Sequence, residues 1–357
     1  MRRTPRGADA GTRTTPELLP RHRVGSPLPE RILVLRALHL GDMLCAVPAL
    51  RALRAALPTA EITLLGLPWA RSFVSRFEAY LDRFLEFPGF PGFPERPVAV
   101  GEVARFLAEA QRMRFDLALQ MHGSGRYSNP ICFLVGARRT AGYVLPGDWC
   151  PDPDRFMPYP AGLPEIRRHL RLMSFLGVPL GGEELEFPIQ PDDRAGLDAL
   201  RAEHSLAPHG YVCLHPGARA PERRWPPRLF AKLGDRLADL GLQVVVTGTA
   251  AERDLAAAVI QAMTAPAADV AGRTSLGTLA ALVHDARLVV CGDTGVSHVA
   301  AALQVPSVVL FTASEVRRWA PLDRRLHRPV RAVGGGGQEA AWLEARDLLG
   351  LRAAHVA

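Results

Sequence analysis

The sequence predicts an α/β protein with two doubly wound domains that face a central cleft. Short apolar runs, such as residues 31–35 and 307–311, have the composition of strands buried in a parallel sheet. They alternate with segments in which apolar residues recur at helical spacing, and glycines stand at the turns between them. The alternation occurs in both halves of the chain, and 357 residues suffice for two domains of ordinary size.

Composition favours a soluble globular enzyme, with 48% apolar and 22% charged residues. No apolar run reaches the roughly 18 residues of a membrane span, and the first thirty residues lack the apolar stretch of a secretory signal. The five cysteines stand apart and form no CxxC pair, which indicates neither a disulfide framework nor a zinc site. We therefore expect a cytoplasmic protein.

The net charge of +7 comes almost wholly from arginine, and Lys232 is the only lysine. A basic excess suits nucleic acid, anionic lipid or a phosphorylated substrate. The sequence contains no helix-turn-helix, zinc-finger or aromatic RNA-binding pattern, so we expect no nucleic-acid partner. Because the arginines are spread along the chain, contact with lipid or phosphate fits better.

Composition also predicts the domain boundaries. Residues 1–29 contain six arginines and few large apolar residues, which predicts a disordered basic tail. The remaining predicted segments are an N-terminal domain at 30–180, a linker at 181–208 with an amphipathic helix at about 192–204, a C-terminal domain at 209–330, and a glycine hinge with a last helix at 331–357.

Individual elements follow from apolar periodicity and turn residues. Strands are predicted at 31–35, 61–65, 115–121, 211–215, 243–247, 287–291 and 307–311. Helices are predicted at 46–57, 227–240, 251–263, 276–284, 297–303 and 339–349. The stretches 87–97 and 148–164 are rich in proline and glycine and are predicted to be long surface loops.

Four segments follow predicted strands, where ligands bind in open α/β sheets. In the first, Gly41 permits a tight turn and Asp42 stands near the start of a helix. Asp42 either caps that helix or faces the cleft as a base for a hydroxyl. In the second, Gly217 precedes Arg223 and Arg224, which either bind a phosphate or form a solvated basic loop.

The third segment runs from Gly292 to His298. Gly295 and the backbone N–H groups of the following helix can bind an anion, and Asp293 can accept sugar hydroxyls or cap the helix. His298 is more typical of a buried, hydrogen-bonded histidine than of a ligand. In the fourth segment, Glu252 either binds the hydroxyls of a ribose or interacts with the helix dipole.

Other cofactor motifs are missing from the sequence. No GxGxxG follows the first strand, and no GxxxxGK[ST] occurs, so neither a nicotinamide site nor a P-loop is indicated. Asp152-Pro153-Asp154 imitates a metal-binding DxD motif, but it lies in a proline-rich loop rather than at the end of an apolar strand. We expect neither a metal nor a resident cofactor.

Taken in order, these segments resemble glycosyltransferase family 9, the ADP-heptose:lipopolysaccharide heptosyltransferases. The resemblance covers about residues 31–325. It rests on three signatures. The first combines residues 31–36, Leu40-Gly41-Asp42 and residues 48–51. The second combines His215-Pro216-Gly217-Ala218 with residues 223–226, and the third combines Gly292-Asp293-Thr294-Gly295 with residues 297–298.

The resemblance implies a GT-B fold of two Rossmann-like domains and an inverting transfer from a nucleoside-diphosphate heptose, without an obligatory metal. It implies that Asp42 is the general base and that Arg223, where many members carry lysine, neutralises the leaving diphosphate. Asp293 would hold donor hydroxyls, the backbone from Thr294 to 296 the diphosphate, and Glu252 the ribose. The implied partners are the nucleotide-sugar donor, a lipid-linked or cell-envelope glycan acceptor, and anionic lipid at the inner membrane surface.

Two other functions fit the same architecture. A sugar-nucleotide epimerase or hydrolase would act without an added acceptor. A catalytically lapsed sugar-nucleotide-binding protein at the membrane surface would bind a donor without turning it over, and the arginine at position 223 is compatible with that hypothesis.

Overall fold

The computed structural model describes residues 23–353, with side chains through residue 350. The described residues form two six-stranded sheets in which all neighbouring strands are parallel. Alternate residues of the first strand enter two different cores, Ile32 and Val34 on one face and Leu33 and Leu35 on the other. Both faces are therefore buried, which confirms the predicted doubly wound α/β class.

The first sheet comes from the N-terminal half. Its strands are β1 Arg31–Leu35, β2 Glu61–Gly66, β3 Arg83–Glu86, β4 Leu117–Gln120, β5 Arg139–Val144 and β6 Phe156–Pro158. The order across the sheet is β3-β2-β1-β4-β5-β6, so β1 lies in the interior between β2 and β4. The helices of this half are α1 Leu40–Ala56, α2 Ala70–Arg76, α3 Val100–Arg112, α4 Ser128–Leu134 and α5 Glu165–Phe175.

The second sheet repeats this plan. Its strands are β7 Tyr211–His215, β8 Gln243–Val246, β9 Ala267–Asp269, β10 Leu288–Gly292, β11 Ser307–Phe311 and β12 His327–Arg331. The order is β12-β11-β10-β7-β8-β9, with β10 and β7 in the interior. The helices are α6 Pro191–His204, α7 Pro227–Ala238, α8 Arg253–Ala262, α9 Leu276–His284, α10 Gly295–Ala302, α11 Val316–Trp319 and α12 Gln338–Ala353.

All strands and helices predicted within the two domains are present, with ends that shift by a few residues. The largest shift is at α1, which begins at Leu40 rather than at residue 46 because the Gly-Asp turn is already helical. The loop prediction for 87–97 is wrong in one respect, since Phe87 and Phe93 are buried and their ring centroids lie 4.8 Å apart. In the other predicted loop, residues 156–158 form the edge strand β6.

Part of the predicted tail belongs to the described fold. Val24 is fully buried in the core of the N-terminal half, and the N–H of Arg23 donates to the carbonyl of Leu176 at 2.8 Å. Arg139 donates to the carbonyl of Ser26 at 2.7 Å. The expectation of disorder therefore fails for residues 23–29, because one valine is enough to anchor them. Residues 1–22 lie outside the described part of the chain.

The predicted linker contains α6, as expected, but this helix is packed against both halves. Its Leu197 is buried, and α6 contacts α9 of the C-terminal half. Its Asp193 pairs with Arg76 of α2, with 2.6 Å between Oδ2 and Nη1. At the other end of the chain, the glycines at 334–337 precede α12, which packs on α7 and β11.

The two halves share an apolar cluster, in which α1 packs against α5 of its own half and α10 of the other. This contact brings the carboxyl ends of β1 and β10 to one cleft. Among the described helices, none combines the length and the apolar composition needed to cross a bilayer.

Candidate active site

The helix starts that carry the first and third predicted motifs lie in contact. A Cβ atom added to Gly41 would stand 2.8 Å from Cδ2 of His298, and one added to Gly295 would stand 3.0 Å from Cδ2 of Leu40. A larger residue at either glycine would have to displace the facing side chain, His298 or Leu40. Two motifs from opposite halves of the chain therefore meet across the cleft.

Asp42 lies in the first turn of α1 rather than at its N-cap. The N-cap is His39, whose side chain makes no capping hydrogen bond within the described residues. Burial raises the pKa of Asp42 above its ordinary value. The charge of Arg36 lowers this pKa in part, the charge of Glu165 raises it, and the interaction with His298 lowers it. A carboxylate with a raised pKa is a stronger base than an exposed one, which suits proton removal from a hydroxyl.

The position of Asp42 is fixed through its backbone by Arg36. This arginine is buried at the end of β1, and its Nε and Nη2 donate to the Asp42 carbonyl at 2.9 and 2.6 Å. Its Nη2 also donates to Glu165 at 3.3 Å. The guanidinium thus links the start of α1 to α5.

Glu165 is the centre of a buried charge cluster that the sequence did not reveal. It pairs with Arg168, accepts from His169 Nε2 at 3.3 Å, and accepts from Nε of Arg318 at 3.0 Å. Arg318 belongs to α11 of the opposite half, so the cluster joins the two domains. Residues 165, 168 and 169 share one helical face, and this spacing is the signal that a sequence reader could have used.

The arginines of the cluster influence the ionisation of Glu165 and His169. Burial opposes ionisation of Glu165, but the hydrogen bond from His169 and the charges of Arg36 and Arg168 outweigh it and hold the pKa of Glu165 well below its usual range. Burial lowers the pKa of His169 to about 4, so near neutral pH this imidazole contributes a hydrogen bond rather than a charge. Glu165 is therefore an anion among cations.

Arg223 and Asp293, predicted from separate motifs, lie side by side. Arg223 ends a short 3₁₀ helix after β7, and its Nη1 is 3.7 Å from Asp293 Oδ2. Asp293 is only 4% exposed. Among the described residues, its Oδ2 has no hydrogen-bond partner, and neither does the buried Oγ1 of the adjacent Thr294. Buried polar atoms normally have partners, so this pair indicates a place for ligand hydroxyls or oxygens.

Gly217 lies against Glu252, and Arg224 contacts the loop that contains Gly217. Nε of Arg224 donates to the Ala218 carbonyl at 2.9 Å and so braces the loop after β7. The Oε2 atom of Glu252 accepts from the N–H and the hydroxyl of Thr249, each at 2.8 Å, in a capping box. A side chain at Gly217 would collide with the Glu252 carboxylate. The ribose role of Glu252 stays a prediction.

His298 is buried between the two halves. Its Nδ1 lies 3.6 Å from Cys45 Sγ of α1, and burial lowers its pKa, so the ring is neutral near neutral pH. This is the buried histidine that the sequence favoured, and a ligand role for it stays a prediction. A second contact across the cleft joins Arg219 of the C-terminal half to His39 Nε2.

Asp152 and Asp154 lie away from these groups. Asp152 accepts the N–H of Asp154 at 2.9 Å and pairs with Arg155, which makes it a loop-bracing residue. The described residues contain no group of three or more histidine, cysteine or acidic side chains placed to hold a metal ion.

The chain is similar to known proteins over most of its length. Residues 103–332 match the model of glycosyltransferase family 9 (heptosyltransferase). The chain is 27% identical over 321 residues to lipopolysaccharide heptosyltransferase 2 of Salmonella typhimurium, covering 85% of this chain and 89% of the relative.

Two solved structures share the fold. A family 9 glycosyltransferase from Veillonella parvula superposes with a TM-score of 0.76 at 20% identity, covering 90% of this chain and 97% of the other. The ADP-heptose lps heptosyltransferase II of E. coli superposes with a TM-score of 0.69 at 23% identity, covering 90% and 99%. The architecture is thus of GT-B type, and the family match extends over more than half of the chain. The chain belongs to glycosyltransferase family 9 (heptosyltransferase) and is a glycosyltransferase.

Proposed function

We propose that the chain transfers a heptose from ADP-heptose to a lipopolysaccharide-core or other cell-envelope glycan acceptor, with inversion at the anomeric carbon. The observation that carries the proposal is the position of Asp42, a half-buried carboxylate whose helix start contacts that of α10. At α10, the unpartnered atoms of Asp293 and Thr294 provide polar groups for a donor. The names of the relatives, which specify lipopolysaccharide and ADP-heptose, support these substrates.

In this proposal the C-terminal half binds the donor. Arg223 and the backbone N–H groups of 294–296 bind the diphosphate, because a guanidinium and a helix start both favour anions. Asp293 accepts hydroxyls of the donor sugar, and Glu252, next to Gly217, binds the ribose. The exposure of Arg223 supports this role, because its side chain is 42% exposed and a ligand can reach the guanidinium.

The chemical step needs one base and one anion site on opposite sides of the sugar. The acceptor hydroxyl gives its proton to Asp42, and its oxygen bonds to the anomeric carbon from the side opposite the diphosphate. The bond from that carbon to the phosphate oxygen breaks, and its electron pair leaves with ADP. Arg223 and the α10 dipole neutralise the leaving charge. No metal takes part in this scheme, so transfer should persist in EDTA.

The proposal is tested by Asp42→Asn, which keeps the size of the side chain but removes its basicity. We expect kcat to fall about 10²–10⁴-fold, the usual effect of losing a positioned base, with donor affinity and thermal midpoint unchanged. The assay measures ADP release from ADP-heptose with O-deacylated core from a heptose-deficient lipopolysaccharide. Asp192→Asn is the matched control. It removes an acidic group from the exposed first turn of another helix, α6, and so measures the effect of losing a favourable interaction with a helix dipole.

Other results of the Asp42→Asn and wild-type assays would each indicate a different function. Loss of stability and donor affinity in step with activity would make Asp42 a helix-stabilising residue. ADP release by the wild type that needs no acceptor would favour a hydrolase, and epimerised donor would favour an epimerase. Donor binding without turnover would indicate a lapsed sugar-nucleotide-binding protein.

The proposed site of action is the cytoplasmic face of the inner membrane. A lipid-linked acceptor lies in an anionic surface, and a net charge of +7 favours peripheral contact with it. Such contact should weaken as the salt concentration rises.

A further inference from the structure

A second polar pair lies at the end of the N-terminal sheet, outside the groups assigned above. Strands β1 and β4 are neighbours in parallel register, so the residues that follow them lie side by side. Nδ1 of His122, after β4, accepts the N–H of Ala37, after β1, at 3.2 Å. Burial lowers the pKa of His122 to about 3, so the ring is neutral. Because Nδ1 accepts a hydrogen bond, the single proton of the neutral His122 ring is on Nε2.

The donor on His122 faces a carboxylate oxygen that has no hydrogen-bond partner among the residues the structure describes. Oε2 of Glu95 lies 3.9 Å from His122 Nε2, which is too long for a hydrogen bond. Oε2 is buried and, within the described residues, accepts no hydrogen bond. The ring of His122 is held in place by Phe93, with 4.6 Å between centroids. A fixed donor and a fixed acceptor thus converge on one small space.

This space belongs to the acceptor side of the cleft. His122 is hydrogen-bonded to Ala37, which lies in the loop between β1 and the start of α1, the helix that carries Asp42. Glu95 lies in the loop between β3 and α3 of the N-terminal half, whereas the groups assigned to the donor lie in the C-terminal half. Glu95 and His122 therefore flank the proposed base without being part of the donor site.

We infer that Glu95 and His122 form a subsite for a hydroxyl of the acceptor sugar other than the hydroxyl that attacks. The O–H group donates to Glu95 Oε2, and its oxygen accepts from His122 Nε2. Because the two atoms are 3.9 Å apart, a hydroxyl oxygen at about 2.8 Å from each lies beside the line that joins them rather than on it. The inference rests on the proposed function, because Asp42 defines the acceptor side. The pair selects acceptors that present a second hydroxyl beside the reacting one.

The test uses the full chain, ADP-heptose and the same O-deacylated core oligosaccharide. Glu95→Gln removes the charge of the acceptor group. His122→Asn keeps an oxygen where Nδ1 accepts from Ala37 but removes the Nε2 donor. Each should raise KM for the oligosaccharide about tenfold, the effect of one charge-assisted or buried hydrogen bond, with KM for ADP-heptose and thermal midpoint unchanged. Glu109→Gln, exposed on α3, is the control.

A binding measurement separates this inference from the proposed function. Saturation-transfer NMR of the oligosaccharide with the ADP-bound chain should show saturation for the wild type and Asp42→Asn, and much less for Glu95→Gln. If that pattern holds while the wild type transfers no heptose, the proposed function fails and the subsite stands. Equal saturation in Glu95→Gln, no saturation in the wild type, or an equal rise in KM for both substrates would overturn the subsite.

Discussion

Neighbouring arginines after β7 have different surroundings, and the difference predicts different mutant phenotypes. Arg223 points towards Asp293, while Arg224 is engaged with a backbone carbonyl. We expect Arg223→Ala to weaken donor binding and lower kcat, with a combined loss of about ten- to a hundredfold in kcat/KM, because a charge-assisted contact of about 1.5–3 kcal/mol is removed. Steady-state kinetics with ADP-heptose as the varied substrate provide the measurement.

Two further variants control that experiment. Arg223→Lys keeps the charge and should retain much of the activity, although it loses the planar fork of the guanidinium. Arg228→Ala, on the exposed face of α7, should leave the kinetics unchanged. An Arg223→Ala variant with wild-type kinetics would show that the diphosphate is bound elsewhere.

The sequence could predict single residues where a strand end defines their place. Gly41, Asp42, Asp293 and Gly295 follow β1 and β10, and the interior position of these strands brings them to one cleft. Contacts between distant segments could not be predicted in this way. The gap between Glu95 and His122 depends on a loop path that apolar periodicity does not determine.

At the scale of elements, the Glu165 cluster holds α1, α5 and α11 together. Replacing Glu165 by glutamine leaves Arg36 and Arg168 buried without their counterion. We expect the free energy of unfolding to fall by about 3 kcal/mol, the usual cost of removing one partner from a buried ion pair. Urea denaturation followed by circular dichroism measures the change. An unchanged urea midpoint would mean that water solvates the charges of Arg36 and Arg168 once the carboxylate of Glu165 is removed.

Glu183→Gln is the matched control, because its pair with Arg167 is exposed and should contribute less than about 1 kcal/mol.

The stability that Glu165 contributes depends on pH and decreases as the pH falls. The pKa of Glu165 is lower in the folded than in the unfolded chain, so its stabilisation is complete above the unfolded pKa of about 4.3 and is lost as pH falls through the folded pKa.

Element prediction succeeded for apolar segments and missed the polar edge strands and the amphipathic helix α3. Helix α9 and strands β7 and β11 have the predicted bounds. The edge strands β3 and β12 contain arginines and a proline, so their composition resembles that of loops. Their strand conformation is imposed by the neighbouring strand rather than by their own residues.

At the scale of the whole molecule, Val24 changes what a truncation should do. A chain that begins at Glu30 loses the burial of this side chain and the bond from Arg23 to Leu176. Because burying a valine contributes roughly 1.5–3 kcal/mol, we expect the thermal midpoint to fall by about 3–8 °C. A chain that begins at Arg23 should melt like the full-length protein. Equal midpoints for both truncations would show that residues 23–29 contribute nothing.

The contact between the starts of α1 and α10 has an energetic consequence for the assembly of the two halves. Each helix start carries roughly half a unit of positive charge, so two that touch repel each other. An anion held between the halves acts as a counterion to both dipoles and increases their cohesion. By thermodynamic linkage, a ligand that binds best to the joined halves must itself favour joining. In the proposed function, departure of the ADP product weakens the contact that enclosed it, which couples product release to separation of the domains.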